Sequence, residues 1–285
     1  MVIPGVIAFF LFSYLPMFGI YISFTDYQPG KALFSGKFVG LKWFTMFLNN
    51  AMSFRILRNT FLLGLYSLLW GFPAPILLAL LLNEISNVKF KRLVQTVTYL
   101  PHFVSSVIVV GMMMEICSRD GAVNQIRHLF GFSDIIQFLA DPKYFRTIFI
   151  SMGIWQGLGW GTIIYLAALT NVNVELYEAA VIDGANRLQR CWHITIPEIL
   201  PTVSILLILS VGSILYSDSQ KILLLYNPQI YETADVIGTY TYREGIQNAR
   251  YAYTSAVGLF LSILSFIMVF GSNMVSKHVT RNSLW

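Results

Sequence analysis

Charged residues are scarce in this sequence. Asp, Glu, Lys and Arg make up 12% of its 285 residues, whereas soluble domains carry roughly 25%, and 56% of the residues are hydrophobic. A soluble fold could not bury this much apolar surface, so the composition predicts an integral membrane protein. The net charge of +5 is spread over the segments between apolar runs, without a basic stripe that would bind a phosphate backbone. Nucleic acid is therefore not expected as a partner.

Motifs for catalysis and metal binding are also missing. Cys117 and Cys191 lie at the ends of different apolar runs with no further ligands nearby, so neither a disulfide nor a metal site is predicted. The glycine-rich stretch at 157–161 lies inside an apolar run and lacks the preceding strand of a nucleotide loop, and no Walker motif occurs. We therefore expect a protein that is not an enzyme and holds no cofactor of its own.

A cleavable signal peptide is not indicated either. The apolar stretch from Val2 to Phe24 is too long for a signal-peptide core, and no small-residue cleavage site precedes Asp26. We interpret it as a retained first membrane span. Because a polar arm normally precedes such a span, we expect the sequence to have been shortened at this end.

Six charge-free runs are long enough to cross a bilayer. A helix rises 1.5 Å per residue, so about 20 apolar residues span the hydrocarbon core. The runs lack the alternation of barrel strands, and backbone polar groups must be paired in lipid, so they are predicted to be helices. We expect an all-α integral membrane protein with one transmembrane domain, 1–285, and spans at approximately 2–24, 59–83, 93–114, 147–170, 199–217 and 253–275. In the fourth span, Gly153, Gly157 and Gly161 recur every four residues and predict a close helix contact.

The distribution of Lys and Arg predicts the orientation. The short loop at 87–92 is basic, and the tail contains Lys277 and Arg281, so both are expected on the cytoplasmic side. This places both termini and the segment 173–196 in the cytoplasm. The segments 26–54 and 118–145 are then expected outside.

The segment between the fourth and fifth spans is not a passive loop. Asn173 is a candidate N-cap, Glu175 lies in the first turn where the helix dipole favours an anion, and Gly184 can end the helix in the left-handed conformation. A second short helix through Gln189 and Trp192 is predicted to stop before Pro197. The result is a helix, a glycine turn and a helix over 173–197, projecting from the membrane.

This segment resembles a known family. Glu178, Ala179, Ala180 and Gly184, followed by Ile194 and Pro197, are similar to the cytoplasmic EAA loop of permeases in binding-protein-dependent ABC importers. Asp183, Ala185 and Pro201 also match, and Ile196 stands where leucine is usual. Further stretches resemble the carbohydrate-uptake branch, in particular permeases for oligosaccharides and polysaccharide fragments: Phe-Pro-Ala-Pro at 72–75, Leu-Leu-Asn-Glu-Ile at 81–85, Tyr-Leu-Pro-His-Phe at 99–103, Leu-Tyr-Asn-Pro at 225–228 and the closing Ser-Leu-Trp.

The resemblance implies a division of labour among several subunits. A second homologous permease completes the translocation path, two ATPase subunits bind ATP and Mg, and an extracellular or periplasmic binding protein delivers the carbohydrate. The location implied is the bacterial inner or plasma membrane, where the chain crosses the lipid several times. The residues implied to couple the permease to the ATPase are Glu178, Ala179, Ala180, Asp183, Gly184 and Ala185.

Candidates for the substrate path are polar and aromatic residues inside the apolar spans. They are Trp155, Gln156, Trp160, His102 and Ser213. Each has a plainer interpretation, because tryptophan also anchors helices at the membrane interface and polar groups also join helices. The alternative function is an ion-gradient-driven secondary transporter. Such proteins usually carry charged or broken helices at mid-membrane, whereas these six runs are free of charge at their centres.

Overall fold

The computed structural model describes residues 2–279, and this part of the chain is helical. Its one β-type contact is an isolated bridge between Thr25 and Phe38. The closing Ser-Leu-Trp and Arg281 lie outside the described residues. The main helices are α1 Ile3–Phe24, α2 Lys42–Leu48, α3 Ser53–Asn83, α4 Val88–Phe103, α5 Ser106–Ile116, α6 Ala122–Leu129, α7 Pro142–Thr170, α8 Val174–Ile182, α9 Arg187–Gly212, α10 Ser219–Leu225, α11 Ile237–Thr241 and α12 Tyr251–Val279. Short helical segments at Pro228–Ile230, Tyr231–Ala234 and Tyr242–Gln247 lie between α10 and α12.

Five helices are individually long and apolar enough to cross a membrane. These are α1, α3, α7, α9 and α12, and the bent pair α4 and α5 forms a sixth candidate span. Much of the apolar surface of α1 is exposed, which suits a helix surrounded by lipid or by other membrane helices. The prediction of an all-helical membrane fold is confirmed.

The third predicted span, 93–114, is not one continuous helix, and this part of the prediction is wrong. The axes of α4 and α5 differ in direction by 103°. Pro101 lies in a tighter 3₁₀ turn that ends α4, and Val104 is extended. Ser105 then caps α5, because its Oγ accepts a hydrogen bond from the backbone N–H of Ile108 at 3.4 Å. Local backbone chemistry therefore stops one helix and starts another.

The predicted stop before Pro197 is also wrong. Helix α9 continues through Pro197 and Pro201 to Gly212. A π turn at Cys191–Thr195 precedes the first proline, and the N–H of Ile196 bonds to the Cys191 carbonyl in the wider π pattern. Rearranged backbone pairing of this kind lets a membrane helix tolerate proline. The second helix of the predicted hairpin and the fifth span are consequently one element.

Helix α7 lies at the centre of the bundle and packs extensively against α3. Met152 is fully buried there, in a core that also contains Leu63 of α3 and Ile222 of α10. The close contacts of α7 do not follow the predicted glycine spacing. A Cβ at Gly161 would lie 3.0 Å from Pro75, whereas Gly153 and Gly157 have no such neighbour within 4 Å. Of the three glycines predicted to form a close helix contact, only Gly161 does so.

Candidate functional site

The first part of the candidate site is a hairpin formed by α8, a glycine turn and the start of α9. The Asn173 side chain caps α8 by accepting a hydrogen bond from the Glu175 N–H at 3.0 Å. At the other end, Gly184 adopts φ +78°. The N–H of Gly184 bonds to the Val181 carbonyl at 3.0 Å, and the N–H of Ala185 bonds to the Ala180 carbonyl at 2.9 Å. This pairing is a Schellman motif, which fixes the direction in which the chain leaves the helix.

The next helix begins at once with a reciprocal cap. The Asn186 side chain accepts from the Gln189 N–H at 2.9 Å, and the Gln189 side chain accepts from the Asn186 N–H at 2.8 Å. Neighbouring residues thus pair backbone groups that would otherwise lack hydrogen bonds at the two helix ends that meet in the turn. The angle between the two helices is set by these bonds.

The hairpin presents apolar and acidic groups side by side on its surface. Glu178, Ala179 and Asp183 are exposed, and next to them the side chain of Ile182 is 86% exposed. Ala180, Asp183, Gly184 and Ala185 line a pocket of about 320 Å³ inside the angle of the hairpin. All six predicted coupling residues therefore lie on this element. Exposed apolar residues beside charges are typical of a surface that binds another protein.

The second part of the candidate site is a cavity of about 470 Å³ between α3, α7 and α9. Its wall combines small and hydroxyl-bearing residues with a few large apolar side chains. Lys221 and Asp218 lie at one end as an ion pair, with Nζ 3.0 Å from Oδ2. The glycine and serine residues of the lining are Gly64, Ser67, Gly71, Gly153, Gly161, Ser210, Ser213 and Ser217. Such a wall offers both room and hydrogen-bond partners to a polyhydroxyl ligand.

One of the five substrate-path candidates lines this cavity. Ser213 follows the last turn of α9, and its Oγ donates to the Ser210 carbonyl at 2.9 Å. Trp155 lies elsewhere, on a partly exposed face of α7. Sequence reasoning gave no path role to Ser67, Asp218 or Lys221. Nothing in the composition of a single helix identifies these residues, because three separate segments form the cavity.

The other three candidates meet at the bend between α4 and α5. Gln156 is 9% exposed, and its Nε2 donates to the Val104 carbonyl at 2.9 Å. The rings of His102 and Trp160 stack with centroids 4.4 Å apart. Gln156 thus pairs a carbonyl that the broken helix leaves free. Its Oε1 has no hydrogen-bond partner within residues 2–279.

Replacing Gln156 tests whether it stabilises this bend. Gln156→Leu should lower stability by about 1–3 kcal/mol, because the partly buried Val104 carbonyl would lose its donor. The midpoint of thermal unfolding in detergent measures the change. Gln125→Leu is the control, since Gln125 is exposed and also donates to a backbone carbonyl. Equal midpoints for the two variants would contradict the assigned role.

A further polar network holds the end of the bundle near the Asp218 side of the cavity. Asp235 is 1% exposed and pairs with Arg243, with Oδ2 2.8 Å from Nη2. Burial lowers the pKa of Arg243, but the hydrogen bond and charge of Asp235 outweigh it, so the pKa is raised. Asn59 of α3 donates to the Asp235 carbonyl at 3.1 Å and accepts from Arg146 of α7 at 3.1 Å. The segment after α10 is therefore tied to α3 and α7, two of the three helices that form the cavity.

Comparison with known proteins places this arrangement in a family. Residues 43–281 match the family described as binding-protein-dependent transport system inner membrane component. The chain belongs to this family. As a permease of this kind it is a transport component and not an enzyme, and the family assignment favours this function over the ion-gradient-driven alternative.

Full-length relatives agree with this assignment. Protein LplB of Bacillus subtilis is 43% identical over 287 residues, covering 100% of this chain and 90% of that protein. The polygalacturonan/rhamnogalacturonan transport system permease protein YteP of Bacillus subtilis is also 43% identical, covering 100% and 89%. A chain of the bacterial alginate ABC transporter, solved with an alginate pentasaccharide-bound periplasmic protein, is 40% identical, with a TM-score of 0.91 and coverage of 100% and 95%. The permease therefore resembles sugar-transport components over its whole length.

Proposed function

We propose that this permease imports oligosaccharide fragments of a polysaccharide across the bacterial inner or plasma membrane. It would form the translocation path with a second homologous permease, and an extracellular or periplasmic binding protein would deliver the sugar. The observation that carries the proposal is the continuity of α9, which begins in the exposed hairpin and ends beside Ser210 and Ser213 in the cavity. One element thus reaches from a protein-binding surface to a polar path.

The lining of the cavity supports a carbohydrate as the substrate. Ser67 can donate to and accept from sugar hydroxyls, and Gly153 leaves space for a ring. Ser210 and Ser213 can accept from sugar hydroxyls, because their own protons bond to the carbonyls of Leu206 and Ser210. Asp218 adds a charged acceptor and Lys221 a charged donor, and charged groups form stronger hydrogen bonds than hydroxyl groups do. Among the relatives, the names of YteP and of the alginate transporter refer to polysaccharides. Both comparisons support fragments of such polymers as the substrates to test first.

The hairpin is proposed to bind one of two ATPase subunits, which hold ATP and Mg. Ala179 presents a small surface that can enter a groove, and Glu178 offers a carboxylate to a basic group of the partner. Ile182 supplies exposed apolar area beside them. ATP-driven closure of the partner would then push the hairpin and reorient the spans as a rigid-body switch. This requires the hairpin to be cytoplasmic, as the basic 87–92 loop predicts.

Ala179→Asp tests the proposed contact. Ala179 is exposed, so the variant should fold, but its carboxylate would be desolvated without a partner in the ATPase groove. Affinity capture of the parent chain in detergent should recover a second permease and an ATPase. The variant should recover the second permease and lose most of the ATPase.

Ala122→Asp provides the matched control. Ala122 is also exposed but lies at the start of α6, away from the hairpin. This variant should recover both partners in parental amounts. Undiminished ATPase capture by Ala179→Asp would show that the hairpin is not the contact.

A further inference from the structure

A side-chain hydrogen bond joins the two helices of the hairpin at the base of α9. The Tyr177 hydroxyl of α8 lies 2.9 Å from Oγ1 of Thr195. Tyr177 is half-buried, and Thr195 is 2% exposed. The Thr195 hydroxyl also donates to the Arg190 carbonyl at 3.4 Å.

The position of this bond matters because of the helix it reaches. Thr195 is the last residue of the π turn, two residues before Pro197, which has no N–H to donate. Such turns are places where a helix can bend. The Tyr177 hydroxyl therefore attaches α8 to α9 at a turn where the helix can bend, on the membrane side of the glycine turn.

The hydrogen bond between Tyr177 and Thr195 connects α8 to the helix that lines the cavity, so movement of α8 can shift the cavity wall. Helix α9 has 26 residues and is roughly 39 Å long at 1.5 Å per residue. It carries Ser210 in the cavity wall and is followed by Ser213. Without the Tyr177 bond, a push on α8 would reach α9 mainly through the glycine turn, at the far end of the hairpin.

We propose that Tyr177 and Thr195 form a latch that transmits movement of α8 to the span lining the cavity. This inference rests on the proposed function, because it assumes that α8 receives the push of an ATPase. Both are positioning residues, and neither has to touch substrate or nucleotide. The latch determines how much transport follows from each ATP hydrolysed, whereas the surface of α8 determines whether the ATPase binds.

The latch is tested by removing its hydroxyl groups one at a time. Tyr177→Phe and Thr195→Val keep the shape of each side chain, and Thr195→Ser keeps the hydroxyl. The complete transporter, captured through this chain, is reconstituted in vesicles with its binding protein and an oligosaccharide that the parent transports. Uptake and ATP hydrolysis are measured on the same vesicles. Loss of this partly buried hydrogen bond should reduce uptake per ATP by about fivefold in the first two variants.

Several comparisons separate a latch from general destabilisation. Thr195→Ser should retain parental coupling, and the ATPase should be captured equally by all variants. The double variant Tyr177→Phe with Thr195→Val should be no worse than either single variant, because both remove the same bond. Parental uptake per ATP in both single variants would overturn the latch. If Ala179→Asp still loses the ATPase in that case, the proposed function stands and only the latch fails.

Discussion

Gly184→Val should abolish oligosaccharide uptake while the permease still inserts and pairs with its partner permease. Gly184 has φ +78°, and a Cβ there would meet nothing within 4 Å. The substitution is therefore unfavourable because of backbone strain, which costs about 1–2 kcal/mol or more for a branched residue in the left-handed region. That strain falls on the Schellman turn that sets the angle of the hairpin. The six spans do not depend on this turn, so the defect should be confined to coupling.

Gly131 provides a closely matched control for this prediction. It has φ +87° and also has open space around its Cβ position, but it lies near the opposite end of α7. Gly131→Val therefore carries similar strain away from the hairpin. Uptake and substrate-stimulated ATP hydrolysis are compared at equal amounts of inserted protein. A Gly184→Val permease that transports as well as Gly131→Val would show that the turn has no coupling role.

Gly153→Leu should block uptake by filling the cavity. A Cβ at Gly153 has no neighbour within 4 Å, so the larger side chain can project into the open space. Replacing glycine in a helix also gains about 0.5–1 kcal/mol of helix stability, which argues against misfolding. The ATPase should bind normally and hydrolyse ATP at its basal rate. Sugar uptake should fall to background, because the path is obstructed.

Gly111→Leu is the control for the filled cavity. Gly111 lies within α5, is exposed and likewise has no neighbour within 4 Å of its Cβ position. It does not line the cavity. This variant should transport like the parent. Parental uptake by Gly153→Leu would exclude this cavity from the sugar path.

The hairpin was predictable because its chemistry is local. Asn173 caps the helix that begins next to it, and Gly184 supplies the left-handed turn that the chain needs there. The break between α4 and α5 was not predictable in the same way. Its freed Val104 carbonyl is paired by Gln156, 52 residues along the chain, and apolar composition continues across the bend. Only the folded bundle brings those two groups together.

The boundaries of the spans show a related difference. Counting residues between charges placed the start of the second span at 59, whereas α3 begins at Ser53 and includes Arg55 and Arg58. A charge marks where a helix leaves the hydrocarbon, but it does not end the helix.

The full lining of the cavity could not be predicted from the sequence for another reason. Ser67 and Ser213 are 146 positions apart, and of the two only Ser213 was predicted to lie on the substrate path.

The central claim is that ATP hydrolysis by a partner drives sugar through this permease. The most direct measurement uses the complex captured through this chain, reconstituted in vesicles with its binding protein and oligosaccharides from alginate or polygalacturonan. Uptake should require ATP on the side of the ATPase subunits and should persist when ion gradients are collapsed. Uptake driven by an imposed proton or sodium gradient in the absence of ATP would contradict the account.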